Sequence, residues 1–383
     1  MSVLLIRVLG LTLWRFRLEG LEKVPKEEPF LLLPNHSSLL DPFWVGALVP
    51  LGLKIMASAN LLKIPIIGTY TRMVGCFPKM KFTKDKAAMQ QLQAQYDLGY
   101  GILLFPEGNR CWNGQTAPIL PGIGRLIKRM NCKVVYARLN TAYFCQPRWA
   151  TFFRWVPIEI TYDGPYEYSE DQTPEQITAH AQSKLDVTPH LKKPAPTWGF
   201  RMAHGLRQYL WACPNCFAME TLHVSGWKGN AVACTACEAK WDLDVQSVLT
   251  GPATFTVAEA FMKIEEHFGM PPIADQEAYK AKDVSLTSPN AQLHFIPRGK
   301  KQPDLVAEGE VQLHSGGLRI IKGQEQIWSA PLADIKGSSV EVANLLQFRV
   351  GDKLYRLTTP NGSPLKWDHF LRKWRLHIVG SEF

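Results

Sequence analysis

No apolar run in this 383-residue chain reaches the ~18 residues that a membrane-crossing helix needs, which argues against an integral membrane protein. There is no GxSxG elbow, so a serine hydrolase of the α/β type is not expected. A GxxxxGK[ST] phosphate loop is also missing, and "GIGRLI" at 122–127 begins a dinucleotide fingerprint without its third glycine. Nucleotide-dependent chemistry therefore has no support. Internal repeats and low-complexity tracts are absent, so each segment is read on its own. Acidic residues are in short supply, 34 against 43 basic, and the net charge of +9 favours anionic partners, either phospholipid surfaces or nucleic acid. With 46% hydrophobic and 20% charged residues the composition is globular, and the length predicts two or three domains.

What is present begins at residues 30–43, FLLLPNHSSLLDPF, where an imidazole stands five positions ahead of a carboxylate. Five positions turn about 140° around an ideal helix, so His36 and Asp41 cannot face one another from the same helix. The run Phe30 to Leu33 reads as a short, fully apolar strand that Pro34 and Asn35 end. Ser37 or Ser38 then caps a helix that runs past Asp41. His36 is thus expected on the turn leaving a buried strand, bent back toward Asp41, at the end where open α/β sheets bind ligands. The plainer alternative is a loop histidine bonded to a capping aspartate.

Residues 99–115, GYGILLFPEGNRCWNGQ, repeat the design. The apolar strand Ile102 to Phe105 breaks at Pro106 and delivers Glu107, Gly108, Asn109 and Arg110. Gly108 lets backbone N–H groups approach a ligand, and Arg110 offers a planar fork to phosphate oxygens. Glu107 is placed to orient a substrate hydroxyl or to hold Arg110. A surface ion pair at a turn is the alternative reading.

Together, NHSSLLD and FPEGNR resemble the HxxxxD and FPEG[ST]R motifs of the glycerolipid acyltransferases, the lysophosphatidic acid acyltransferases in particular. The lead-in RFRLEGLEKVPKEEPFLLLPNHSSLLD has that family's cadence of short strand, Gly-Leu-Glu turn and histidine strand. The resemblance covers about the first half of the chain. It implies a membrane-surface enzyme of the 1-acylglycerol-3-phosphate acyltransferase type. Such an enzyme moves a fatty acyl group from a thioester, acyl-CoA or acyl-carrier protein, onto the hydroxyl of a lysophospholipid such as lysophosphatidic acid.

Three positions depart from the family pattern. Asn109 replaces the usual Ser or Thr, Tyr136 in KVVYARLN stands where the fourth motif has proline, and VGCFPKMKF offers only Lys79 or Lys81 where the second motif has arginine. Lysine attracts phosphate but not as a bidentate fork, so another lysolipid acceptor is the alternative. A catalytically inactive lipid-binding adaptor is the alternative function, against which the intact His36, Asp41, Glu107 and Arg110 argue.

The residue types carry the same chemistry without the family name. Acyl transfer needs an activated hydroxyl, and a neutral His36 suits a general base at neutral pH, with Asp41 fixing its tautomer and stabilising the imidazolium. Direct transfer is expected, because Ser37 and Ser38 lack an elbow to present them as nucleophiles.

A boundary falls at TPHLKKPAPTW, residues 188–198, after the helical TPEQITAHAQSKLD. Beyond it Cys213, Cys216, Cys234 and Cys237 form two CxxC pairs seventeen residues apart, with Thr221 to Val224 and Ala231 to Ala233 flanking a Gly-rich turn. Two such knuckles complete a tetrahedron of thiolates, a zinc-ribbon pattern with no open position, so structural zinc is the expected cofactor. Cys76, Cys111, Cys132 and Cys145 are scattered singly, as in a reduced cytosolic protein, which disfavours disulfides. The ribbon holds mainly Lys228 and Lys240, too few basic residues for nucleic acid to be an expected partner.

After a helix-like TVAEAFMKIEEHF at 256–268, the segments EVQLHSGGLRII, QIWSAPL and LLQFRVGDKLYRLTT alternate like strands, with Gly351 and Asp352 at a hairpin turn. In LKWDHFLRKWRLHI, Trp367, Phe370, Leu371, Trp374 and Ile378 form one apolar helical stripe. Strands closed by such a helix resemble a pleckstrin-homology-like fold, which implies membrane or protein binding. The expected architecture is an α/β acyltransferase domain (1–187), a small zinc-ribbon module with a flanking helix (198–250) and a β-rich domain ending in an α-helix (283–380). Residues 1–16, MSVLLIRVLGLTLWRF, are apolar with Arg7 and Arg15 interspersed and close on Trp14 and Phe16. They read as interfacial rather than spanning, with no small-residue cleavage site following, or else as a helix packed on the core. The expected location is cytoplasmic, peripheral on the inner face of a membrane.

Overall fold

Strand β2 (Leu31–Pro34) shows how the first half of the chain is organised. Its alternate side chains leave opposite faces: Leu31 and Leu33 join one core with Ile102, Val134 and Tyr136, while Leu32 joins another with Leu103, Val135 and Ala137. A strand apolar on both faces needs both covered, which is the condition of a parallel sheet inside an α/β layer. The computed structural model describes residues 12, 14–46, 48–58, 68–69, 75–79, 86–189, 197–269, 286–297, 302–341, 345–360 and 362–380.

The sheet contains β1 (Arg17–Glu19), β2, β3 (Leu53–Ser58), β4 (Cys76–Lys79), β5 (Gly101–Leu103), β6 (Val134–Leu139) and β8 (Glu159–Tyr166), in the order β1-β8-β6-β2-β5-β3-β4. From β6 to β4 the strands are parallel, whereas β8 runs antiparallel to β6 and carries β1 parallel beside it. The carboxyl ends of β2, β4, β5 and β6 therefore share one edge. A separate short pair, β7 (Arg154–Trp155) and β9 (Trp198–Gly199), lies antiparallel.

Helices α1 (Asp41–Gly46), α2 (Lys86–Asp97), α3 (Gly122–Met130), α4 (Ala142–Cys145) and α5 (Pro174–Leu185) connect these strands. A capping box starts α5: the Thr173 hydroxyl accepts from the Gln176 N–H at 3.2 Å, and the Gln176 side chain accepts from the Thr173 N–H at 2.8 Å. Gly124 lets α3 approach it closely, since a Cβ there would lie 1.9 Å from the Pro174 carbonyl oxygen and 2.5 Å from the Thr178 hydroxyl. The glycine of "GIGRLI" thus serves a helix contact.

Trp14 and Phe16, expected at a lipid interface, instead pack against the core that contains Trp44, with the Trp14 and Trp44 rings edge to face at 5.8 Å. The Ile158 N–H donates to the Trp14 carbonyl at 3.0 Å and pins the segment there. Residues 1–11 and 13 of the expected interfacial stretch lie outside the described residues. Among the described residues no helix is long and apolar enough to cross a membrane.

The chain divides into two compact units, 1–204 with 224–232 and 241–256, and 205–223 with 233–240 and 257–383. The segment expected as one ribbon module is therefore shared between them. Its strands β10 (Leu222–Ser225), β11 (Ala231–Cys234), β12 (Lys240–Leu243), β13 (Val248–Thr250) and β14 (Phe255–Thr256) form one sheet in chain order. Helix α6 (Val257–His267) follows, where the helical pattern places it.

In the second unit, β15 (Leu286–Ile296), β16 (Asp304–His314), β17 (Gly317–Lys322), β18 (Glu325–Pro331), β19 (Ile335–Glu341), β20 (Leu345–Val350) and β21 (Lys353–Thr358) form a sheet of order β18-β17-β16-β15-β21-β20-β19. All its pairs are antiparallel, and β15, broken by a bulge between Ser288 and Ala291, pairs with both β16 and β21. Gly351 adopts φ +55° at the β20–β21 turn. Helix α7 (Pro364–Val379), capped by the Ser363 hydroxyl, buries Trp367, Phe370, Leu371 and Trp374, and Ile378 is half-buried.

Candidate active site

His36 lies on the loop two residues beyond β2, and Asp41 opens α1. The imidazole Nδ1 stands 2.9 Å from Asp41 Oδ2. The same carboxylate oxygen accepts the backbone N–H groups of Ser37 at 2.6 Å and Ser38 at 2.8 Å. An oxygen already accepting two N–H groups accepts from the ring as well, which puts the ring proton on Nδ1 and leaves Nε2 as the basic nitrogen. The serines do not cap the helix as expected. Ser38 donates its hydroxyl to Gln146 Oε1 at 3.1 Å, while Ser37 Oγ is buried without a partner. Neither is presented as a nucleophile.

The second loop is stitched to the first. Glu107 Oε1 accepts the His36 backbone N–H at 2.6 Å and Oε2 accepts the Ala117 N–H at 2.7 Å. Both oxygens serve backbone groups, so Glu107 ties the histidine loop to its own. The Cys111 N–H donates to the His36 carbonyl at 2.8 Å, and the Phe105 ring stacks on the imidazole at 3.8 Å. The Gly108 N–H donates to the Phe105 carbonyl at 3.2 Å. Glycine is required there because φ is +74° and a Cβ would meet Leu120 Cδ1 at 2.9 Å. Asn109 and Arg110 follow on the same loop, both half-buried.

Burial lowers the His36 pKa below its ordinary 6.5. The hydrogen bond and charge of Asp41 pull it upward, and the charges of Arg110 and Arg148 press it down again. Burial pushes the Glu107 carboxyl up to about 8, against the two backbone N–H groups that favour its charged form.

A third loop, after β6, completes the arrangement and carries residues that the motif reading missed. Gln146 Oε1 accepts from the Leu39 N–H at 3.3 Å in addition to Ser38, and Arg148 Nη1 donates to the Arg110 carbonyl at 2.5 Å. The Arg148 guanidinium lies over the Trp112 ring, 4.3 Å from its centroid. The available signal was positional: β6 adjoins β2, so the segment leaving its carboxyl end starts beside the histidine loop. Lys79 ends β4, which β5 and β3 separate from β2, so it stands three strand spacings from β2, about 14 Å. Lys81 lies outside the described residues. Tyr136 is fully buried with its hydroxyl 2.5 Å from that of Tyr168, so its departure from the family pattern is a packing change.

The four ribbon cysteines converge, all Sγ atoms lying within 4.8 Å of one another. Cys213 and Cys237 are 3.8 Å apart and Cys216 and Cys234 3.7 Å. A tetrahedron with metal–sulfur bonds of about 2.3 Å has edges of about 3.8 Å, the length of these two pairs, so the set could hold a metal ion. It does not fit disulfides, whose S–S distance is about 2.05 Å. The two knuckles close alike. The Phe217 N–H donates to the Cys213 carbonyl at 2.9 Å and the Glu238 N–H to the Cys234 carbonyl at 3.1 Å, while the Asn215 and Ala236 N–H groups donate to Cys213 Sγ at 3.4 Å and Cys234 Sγ at 3.3 Å. Phe217 and Glu238 both sit at φ 59°, a left-handed conformation that costs a non-glycine residue about 1–2 kcal/mol.

Comparison with known proteins gives relatives for the first half of the chain. A 1-acyl-sn-glycerol-3-phosphate acyltransferase of Limnanthes douglasii is 24% identical over 187 residues, 46% of this chain and 65% of that protein. One from Saccharomyces cerevisiae is 24% identical over 146 residues, 35% of this chain and 46% of that protein. The chain thus spans less than two thirds of the length of these curated relatives. Among solved structures, the 1-acyl-sn-glycerophosphate (LPA) acyltransferase PlsC from Thermotoga maritima aligns with a TM-score of 0.42 at 18% identity, covering 47% of this chain and 75% of that one. The Acyltransferase family model matches residues 15–138, about a third of the chain and the stretch that holds His36, Asp41, Glu107 and Arg110.

Proposed function

We propose that the chain is an O-acyltransferase that moves a fatty acyl group from a thioester donor, acyl-CoA or acyl-carrier protein, to the hydroxyl of a lysophospholipid, lysophosphatidic acid in the first instance. The observation that carries this reading is the His36–Asp41 pair at 2.9 Å on a loop that Glu107 and Cys111 tie to the arginine-bearing loop. His36 Nε2 takes the proton of the acceptor hydroxyl as its oxygen attacks the thioester carbonyl carbon. The tetrahedral intermediate then expels the thiolate, which recovers that proton from the imidazolium while Asp41 holds the ring. Arg110 and Arg148, bonded through the Arg110 carbonyl, bring two guanidinium groups to the acceptor's phosphate. The distance of Lys79 from β2 favours a second reading of the acceptor, a lysolipid with a larger head group that reaches along the sheet edge.

Cys213, Cys216, Cys234 and Cys237 would hold zinc, which supplies folding energy and no chemistry because four thiolates fill its coordination sphere. The strand order of the second unit's large sheet, closed by α7, supports a pleckstrin-homology-like binding module. The remaining cysteines, Cys76, Cys111, Cys132 and Cys145, keep free thiols, which accords with a cytoplasmic enzyme working peripherally at the inner face of a membrane. Incubating the purified chain with mixed lysolipids and each donor class tests the reading. Acylated product that His36→Ala fails to make is expected, and a wild-type chain inert on every pairing overturns it.

A further inference from the structure

The short pair β7–β9 has two unlike faces. Its inward face carries Arg154, 1% exposed, and Gly199 opposite it. Arg154 Nη1 donates to the Val245 carbonyl at 3.1 Å and to the Ser247 hydroxyl at 3.0 Å. Alternation along a strand sends Phe153, Trp155, Trp198 and Phe200 to the other side. Trp155 and Trp198 stack face to face at 3.9 Å, and Phe153, Trp198 and Phe200 remain 38%, 54% and 48% exposed.

The β10–β11 turn lies against this pair and extends the surface. The Arg201 N–H donates to the Lys228 carbonyl at 2.9 Å, the Ala203 N–H to the Gly229 carbonyl at 3.1 Å, and Asn230 Nδ2 to the Gly199 carbonyl at 3.0 Å. At the tip Trp227 is 86% exposed, so a tryptophan has been left almost wholly in solvent on a turn held by hydrogen bonds. Arg201 and Lys228 stand over neighbouring rings, 4.8 Å from Phe152 and 4.9 Å from Trp227. Residues 151–156, 197–202 and 226–230 contain no Asp or Glu.

We infer that this aromatic and basic face is a membrane-docking surface that takes the interfacial zone of an anionic phospholipid bilayer. Tryptophan pairs an apolar body with a polar N–H and settles at the level of lipid head groups, and flanking Arg and Lys meet the phosphates. The absence of carboxylates leaves nothing in these segments for an anionic surface to repel. Position agrees as well: five residues of chain separate Arg148 from Phe153, at most about 18 Å, so a lysolipid leaving the bilayer here is close to the loops around His36. The inference deepens the acyltransferase reading and rests on it only for why the chain visits a membrane.

The test is flotation of the full chain with vesicles of phosphatidylcholine alone or with phosphatidylserine, together with backbone hydrogen exchange in their presence. The wild type should float with the phosphatidylserine vesicles, and amides of 198–202 and 226–230 should slow on binding. Trp227→Ala with Phe200→Ala should lower the partition coefficient by about tenfold or more with an unchanged melting temperature, because both side chains are largely exposed. Lys228→Glu should weaken binding to the anionic vesicles selectively. A wild type that does not float, slows no amide in those two segments, or is matched by the double variant overturns the inference, as does protection by a copurifying protein and not by vesicles. A chain that docks as described yet transfers no acyl group keeps the surface and sinks the enzymatic reading instead.

Discussion

In the proposed reaction His36 serves as a base only while Nε2 is unprotonated, and the charges around it set when that holds. With its pKa lowered by burial and by Arg110 and Arg148, the acid limb of kcat/KM should have its midpoint below the 6.5 of an ordinary imidazole. Arg148→Gln removes one of the charges pressing the pKa down, so the acid limb should move to higher pH while KM for a phosphate-bearing acceptor rises. A limb that stays put with an altered KM would leave Arg148 a binding residue remote from the imidazole. His36→Ala should cost about two to four powers of ten in rate with an unchanged melting temperature. Glu107→Gln turns an amide N–H toward one of two backbone N–H groups, as the protonated carboxyl turns its O–H, so below pH 8 it should change the unfolding free energy by less than about 1 kcal/mol in denaturant titrations. The sign with pH is also fixed. Because the folded carboxyl titrates at about 8 rather than 4.5, its contribution is fully present below pH 4.5 and is lost as pH rises through about 8, a decline that the glutamine variant should not share. His36, Asp41 and Arg110 were legible because two short motifs carry them. The positioning role of Glu107 was not, since it depends on a backbone group 71 residues away, and Gln146 and Arg148 belong to no pattern.

Between elements, the decisive contacts are close approaches and turns. Gly124→Val puts branched carbon where the Pro174 carbonyl already stands, so α3 must move off α5. A loss of about 1–3 kcal/mol or more in the unfolding free energy is expected from such overpacking, read from the denaturant midpoint. The fully apolar strands, the capped α5 and the stripe of α7 could be read from the sequence because periodicity of burial is a local property. The β7–β9 pair could not. Two-residue strands drawn from opposite sides of a proline-rich segment show no period, and their aromatics stand on the surface where hydropathy reasoning expects polar residues. Gly124 was equally opaque, since its reason lies in a helix fifty residues on.

For the molecule as a whole, the sequence showed the change to β structure beyond 283, but it expected a boundary near 188–198, where the first compact unit runs on to 204, and a separate ribbon module. The chain instead passes between the two compact units along β10, β11 and β12, with the cysteines in one unit and the hairpin turn in the other. About one zinc per chain should copurify, and chelation should lower the melting temperature of the first unit as well as loosen the knuckles, because the strands run on from one to the other. Calorimetry with and without chelator checks this, and a first-unit transition indifferent to zinc would restore the independent module. One further consequence concerns time. Among the described residues strand β1 pairs with β8 alone, and 142 residues separate Arg17 from its partner Glu159. On a ribosome adding about 5–20 residues each second, β1 waits roughly 7–30 s for the strand that pairs with it. Throughout that interval Trp14 is without the Ile158 N–H that pins its carbonyl, open to a chaperone or a lipid surface before the finished fold draws it in.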